Sequence, residues 1–189
     1  VSRSFRIPMP TPEATGQTTR RRASTRVREF GFFLLLNLIG FSFFALVLDN
    51  SFWHGDDYEY LPHAPRIGEH WHEVFSTRLH QTFQPLPNLI FFLEFQAFEI
   101  DARAYYLFNI FVHSINAFLV YLLVRTMLKD RVIAVLSGLL LEFAVGNYGK
   151  SVMTVSGISD LVITTLTLTT MIYDIKNELE EGGPLWKKN

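Results

Sequence analysis

The sequence predicts an all-α membrane protein with about four transmembrane helices and an external loop carrying interfacial amphipathic helices. Three observations lead to that expectation. Of 189 residues, 49% are hydrophobic, only 19% are charged and 18 are Phe, an apolar composition for a water-exposed domain. The apolar residues fall in long blocks, the longest of them free of charge. Lys and Arg gather at alternate ends of those blocks, the bias that orients membrane segments. The net charge of −1 and the absence of Cys narrow the function. The first argues against nucleic acid as a partner. The second excludes disulfides, thiolate metal sites and Cys nucleophiles.

The first span is "FGFFLLLNLIGFSFFALVL", 30–48, nineteen residues without a charge. At about 1.5 Å per residue it reaches roughly 28 Å, enough for a bilayer core. It is too long for the apolar core of a cleavable signal peptide, and no small-residue cleavage site follows it. The second span, "YYLFNIFVHSINAFLVYLL", covers 105–123 and continues as an apolar helix to 128. The third is shorter and carries Glu142 near its end. The fourth is rich in Thr, whose hydroxyls bond back to carbonyls one turn earlier and so sit in an apolar helix. A re-entrant pair is the other reading of the last two.

Arg20, Arg21, Arg22, Arg26 and Arg28 precede the first span, Arg125, Lys129 and Arg131 divide the second from the third, and Lys176, Lys187 and Lys188 follow the fourth. The long loop holds only Arg66, Arg78 and Arg103. Both termini are therefore expected in the cytoplasm and the loop outside, periplasmic in a bacterial inner membrane or lumenal in a eukaryote. The expected organisation is a cytoplasmic basic tail at 1–28, a first span at 29–48, an external loop at 49–104, a second span at 105–128, a third at 132–146, an external turn at 147–157, a fourth span at 158–174 and a cytoplasmic tail at 175–189. The tail 1–28 is rich in Pro, Thr, Ser and Arg. Free in water such a segment is disordered, so order in it calls for a partner.

In the loop, "EHWHEVFSTRLHQTF", 69–83, places Trp71, Val74, Phe75, Leu79 and Phe83 at helical spacing. That pattern predicts an amphipathic helix in the headgroup plane, ended by Pro85 and Pro87. The stretch "LPNLIFFLEFQAFEI", 86–100, is interrupted by Glu94 and Gln96 and is expected at the interface or against the other helices. His54, His63, His70, His72 and His80 all lie in the loop. Their spacing matches no zinc motif, so no metal is assigned. Glu142, Lys150 and Asp160 are the charges left near the membrane. Such residues are functional suspects by default, and Lys150 with Asp160 is expected to form an ion pair at the membrane edge.

"FWHGDDYEYL" (52–61), the stretch from Phe83 to Leu128 and "VSGISDLV" (155–162) form an ordered series. The series resembles the N-terminal part of GT-C-type glycosyltransferases, the polytopic enzymes that take a sugar from a polyprenyl-phosphate donor. Protein O-mannosyltransferases and membrane proteins with tetratricopeptide repeats belong to that group. The resemblance covers roughly residues 30–173. It implies that Asp57, or Asp56 beside it, is a general base for an acceptor hydroxyl, the role a carboxylate plays in an inverting transfer. The bland reading is a solvated turn after Gly55. Two departures weigh against activity. Gln84 stands where the family commonly has an Arg able to grip the donor phosphate, and four spans are expected where family members carry many more.

The sequence reading is therefore a non-catalytic accessory subunit of a larger membrane complex on a GT-C-like scaffold, touching other integral-membrane subunits and lipids. A respiratory and a photosynthetic assembly are equally open. The alternative is an active transferase that uses a polyprenyl-phosphate sugar, with Asp56 and Asp57 catalytic. A transporter subunit is disfavoured because no inverted repeat is evident. No cofactor fingerprint, P-loop, nucleophile elbow or kinase signature occurs.

Overall fold

The computed structural model describes residues 12–49, 55–75, 78–79, 82–144 and 150–180. These residues are overwhelmingly helical. Helix α1 runs Pro12–Phe43 and continues, after a bend at Phe44, as a 3₁₀ turn at Ala45–Asp49. Helix α2 is Gly55–Glu69, followed by a 3₁₀ turn at Trp71–Phe75 and a two-residue antiparallel pair, β1 at Arg78–Leu79 with β2 at Thr82–Phe83. Then come α3 (Pro85–Phe98), α4 (Ala102–Leu128), α5 (Arg131–Glu142), a 3₁₀ turn at Val155–Gly157 and α6 (Ile158–Glu180).

Two helical segments, Ala102–Leu128 and Val155–Leu179, are long and apolar enough to cross a membrane. The described parts of segments 29–48 and 132–146 also hold helix, but among the described residues neither contains an apolar helix of that length. The uncharged part of α1 stops at Phe43, and α5 has 12 residues. The local chemistry sets the bounds. Asp101 caps α4 by accepting from Arg103 N at 3.1 Å. The helix stops at Lys129, whose φ of 56° is left-handed, a common helix-ending conformation. Asp130 then caps α5, accepting from Val132 N at 2.7 Å and Ile133 N at 3.1 Å. These two residues make the α4–α5 connection a tight reversal.

Helix α4 is the central element, with α1, α5 and α6 packed on it. Two apolar clusters form around it. The one near its start gathers Phe44, Phe91, Tyr105, Tyr106, Ile110, Val152 and Leu161. The one near its end gathers Phe32, Leu36, Ala117, Tyr121 and Ala134. Small Ala117, Ala134 and Gly138 let α5 approach α4 closely. Phe32 meets Tyr121 at a ring separation of 4.7 Å, and Phe33 meets Phe118 edge-on at 5.4 Å. Arg125 ties α1 to α4 by pairing with Glu29 while also donating to Tyr121 Oη at 2.6 Å.

The loop differs from its sequence expectation. No single helix covers 69–83; the stretch divides into a 3₁₀ turn and the short β pair. In the sequence, Ser76 and Thr77 separate these two pieces, and Ser and β-branched Thr are less suited to helix interiors. Val74 is buried, but Trp71 and Phe75 are exposed. Helix α2 forms instead, despite Pro62 and Pro65 in its interior. Pro85 and Pro87 begin a helix rather than end one. In a first turn the missing N–H would have no partner within the helix anyway. Helix α1 also reaches back to Pro12, into the tail expected to be disordered. Pro at the first position and a run of Arg and Ala favour helix there. Residues 1–11 of that tail and His54 and His80 of the loop lie outside the described residues.

One glycine fixes how α6 begins. A Cβ on Gly157 would lie 2.0 Å from the Ser151 carbonyl oxygen and 2.5 Å from its Cα. Since the obstacle is backbone, it cannot step aside as a side chain would. Gly157→Ala is expected to destabilise the chain by about 1–3 kcal/mol or more, the usual cost of overpacking. A lower thermal midpoint of the full chain in mild detergent checks this; an unchanged midpoint would contradict it.

Candidate functional site

The acidic pair of the first loop opens α2, where carboxylates suit the positive end of the helix dipole. Asp57 is completely enclosed. Its Oδ1 accepts from the backbone N–H of Ser156 at 2.8 Å, 99 residues along the chain. Its Oδ2 has no hydrogen-bond partner. Buried Tyr106 of α4 lies within electrostatic reach of the carboxylate. The side chain of Asp56 lies outside those described.

Ser156 belongs to the 3₁₀ turn that leads into α6, where backbone N–H groups lack intrahelical acceptors. Asp57 therefore caps this turn, just ahead of α6, from a distant segment, through a charge-assisted bond of the kind an N-cap makes. Around it the turn is held from other sides. Asn109 Nδ2 donates to Thr154 O at 2.8 Å. Ser151 Oγ donates to Asp160 at 2.9 Å, so Asp160, expected to pair with Lys150, is engaged by a hydroxyl. A general base must come within about 2.6–3.2 Å of the hydroxyl it deprotonates. Asp57 can offer only Oδ2 to such a reaction, and that atom is enclosed.

A second set of polar groups follows α4. Asn109, His113, Ser114 and Asn116 are all buried, spaced so that they fall along one broad side of the helix. Asn116 donates to Leu161 O at 2.9 Å and accepts from Thr165 Oγ1 at 2.6 Å, binding α4 to α6. His113 Nε2 lies 3.3 Å from Glu142 O. A carbonyl only accepts, so the proton in that bond is on Nε2. Ser114 Oγ donates to Glu142 Oε1 at 3.0 Å. Space for that carboxylate comes from Gly40 of α1, where a Cβ would lie 2.3 Å from Oε1 and 2.7 Å from Ser114 Oγ. Glu142 Oε2 has no hydrogen-bond partner. Asn109, Ser114 and Asn116 carry no catalytic signature in the sequence; their one signal is polar spacing inside an apolar run.

Glu94 of α3 is buried, and neither of its carboxylate oxygens has a hydrogen-bond partner. Burial pushes its carboxyl up to about 8. Gln84 sits at the N-cap of α3 without a side-chain cap bond. His70 and His72 are exposed, with rings 5.9 Å apart at right angles. Among the described residues, no group of three or more His, Asp or Glu is placed to hold a metal ion.

Asp57→Ala leaves the part-buried Ser156 N–H without its acceptor and is expected to cost about 1–3 kcal/mol. Asp57→Asn keeps an acceptor oxygen and should cost less. Thermal midpoints of the two variants check the order, and equal midpoints would contradict it. For Glu94 the fold favours the protonated form. The stability it contributes is complete below about pH 4.3, the ordinary Glu value, and is lost as pH rises to about 8. Between about pH 5 and pH 9, the midpoint of the parent chain should fall relative to that of Glu94→Gln; parallel curves would contradict this.

No family model, no curated protein and no solved structure matches this chain.

Proposed function

We propose that this chain is a non-catalytic integral-membrane subunit of a larger membrane complex, built on a GT-C-like helical scaffold. The observation that carries the reading is the use of Asp57. The residue that the resemblance offers as a base is enclosed, with Oδ1 bonded to the 3₁₀ turn that leads into α6. A carboxylate held this way organises the fold.

The apolar surface supports the membrane part of the reading. Leu38 of α1, Leu140 of α5 and Ile163 of α6 are 65%, 73% and 56% exposed. Apolar exposure spread over several helices is a liability in water and suits contact with lipid or neighbouring helices. Other membrane subunits and lipids are accordingly the partners proposed, with both termini on the cytoplasmic side.

The second reading is an active transferase that uses a polyprenyl-phosphate sugar, with Asp57 as base. The unpartnered Oδ2 favours it, since one oxygen remains for an acceptor hydroxyl. Turnover separates the two readings. The full chain, purified in mild detergent with whatever accompanies it, is expected to release no polyprenyl phosphate from a labelled donor and to keep its companions in Asp57→Asn. Donor turnover that Asp57→Asn abolishes would overturn the proposal.

A further inference from the structure

Helix α1 changes character where its basic stretch meets its apolar stretch. At that point a groove of about 390 Å³ opens between α1 and α4, lined by Arg26, Glu29, Phe30, Phe33, Ile115 and Phe118. Its charges are unequal. Glu29 is already neutralised by Arg125, which is also held by Tyr121 Oη and stands over the Tyr121 ring at 5.7 Å. Arg26 is exposed and makes no ion pair among the described residues. One positive charge is therefore left at the polar end of the groove.

The order along the helix matters as much as the charge. Residues 26, 30 and 33 are four and three apart and share one face of α1. From Arg26 to Phe33 the helix advances about 10 Å. A ligand lying along it would meet a guanidinium first and aromatic walls below. Phe33 is braced against Phe118 and Phe111, at ring separations of 5.4 and 6.3 Å, so those walls are set by packing.

We propose that this groove binds a phospholipid with an anionic headgroup, its phosphate on Arg26 and an acyl chain against Phe30, Phe33 and Phe118. The inference rests on the membrane reading above, with this end of α1 on the cytoplasmic side. The planar guanidinium offers paired donors to a phosphate oxygen pair. The apolar walls below it suit an acyl chain and would leave an acidic protein segment or a free phosphate ion unaccommodated. A basic pocket between helices at the cytoplasmic face is a recognised setting for anionic headgroups.

The test uses the full chain in phosphatidylcholine vesicles, with Ile115→Trp as a reporter inside the groove. The signal is the fluorescence difference from the parent chain. The quenchers are phosphatidylglycerol and phosphatidylcholine with brominated tails. Brominated phosphatidylglycerol is expected to quench about fivefold more effectively than brominated phosphatidylcholine, the worth of one basic side chain at an anionic surface. Arg26→Gln should abolish that preference, Arg28→Gln should keep it, and excess inorganic phosphate should leave it in place. Arg28 lies at nearly the same depth but on the far side of the helix, so it reports the general surface charge. Equal quenching by the two lipids overturns the proposal while leaving the membrane reading intact. Loss of the preference in Arg28→Gln as well, or its removal by inorganic phosphate, overturns the site. Quenching by neither lipid overturns both the site and the membrane reading.

Discussion

Helix α6 begins in the interior of the protein, and the polar groups of that beginning must find partners there. An unmatched backbone donor or acceptor in apolar surroundings costs about as much as a lost hydrogen bond. The fold meets this constraint with side chains from far along the sequence. Asp57 accepts from Ser156 N, Asn109 donates to Thr154 O and Asn116 donates to Leu161 O. Together these bonds fix where α6 starts and how it lies on α4. Gly157 is required for the same reason, because the turn folds back onto the Ser151 backbone.

The same economy explains why so many polar side chains sit within apolar helices. In the membrane setting proposed above, helices gain nothing from hiding apolar surface from one another, and close packing with interhelical hydrogen bonds takes over. Along α4 the two apolar clusters are bridged by His113, Ser114 and Asn116, each bonded to α5 or α6. Small Ala117, Ala134 and Gly138 bring α5 close to α4, and Gly40 makes room for the Glu142 carboxylate. Glu94 shows the other solution. With no partner for either oxygen, it is stable in the fold mainly as the neutral acid.

Much of this was legible from local pattern. The runs that became α4 and α6 declare themselves by length and apolarity, and Arg125, Lys129 and Arg131 mark the division between α4 and α5. The loop was less legible because helical spacing over 69–83 competes with residues that favour turns and strands. The prolines misled because Pro is compatible with a first turn, and position within the helix decides its effect. As for Asp57, an acidic pair after a glycine reads equally as a site or a solvated turn. That it reaches Ser156, 99 residues on, is a long-range fact that no local window contains. Asn109 and Asn116 were visible as polar interruptions, while their acceptors were not.

Asp57 is the anchor for the start of α6, and amide hydrogen exchange across 155–161 reads that role directly. Asp57→Ala should lose protection at Ser156 and its neighbours, while α4 and the lower part of α6 stay protected, and Asp57→Asn should stay close to the parent chain. Unchanged protection at Ser156 in Asp57→Ala would show that the carboxylate holds nothing there, and the structural role assigned to it would be lost.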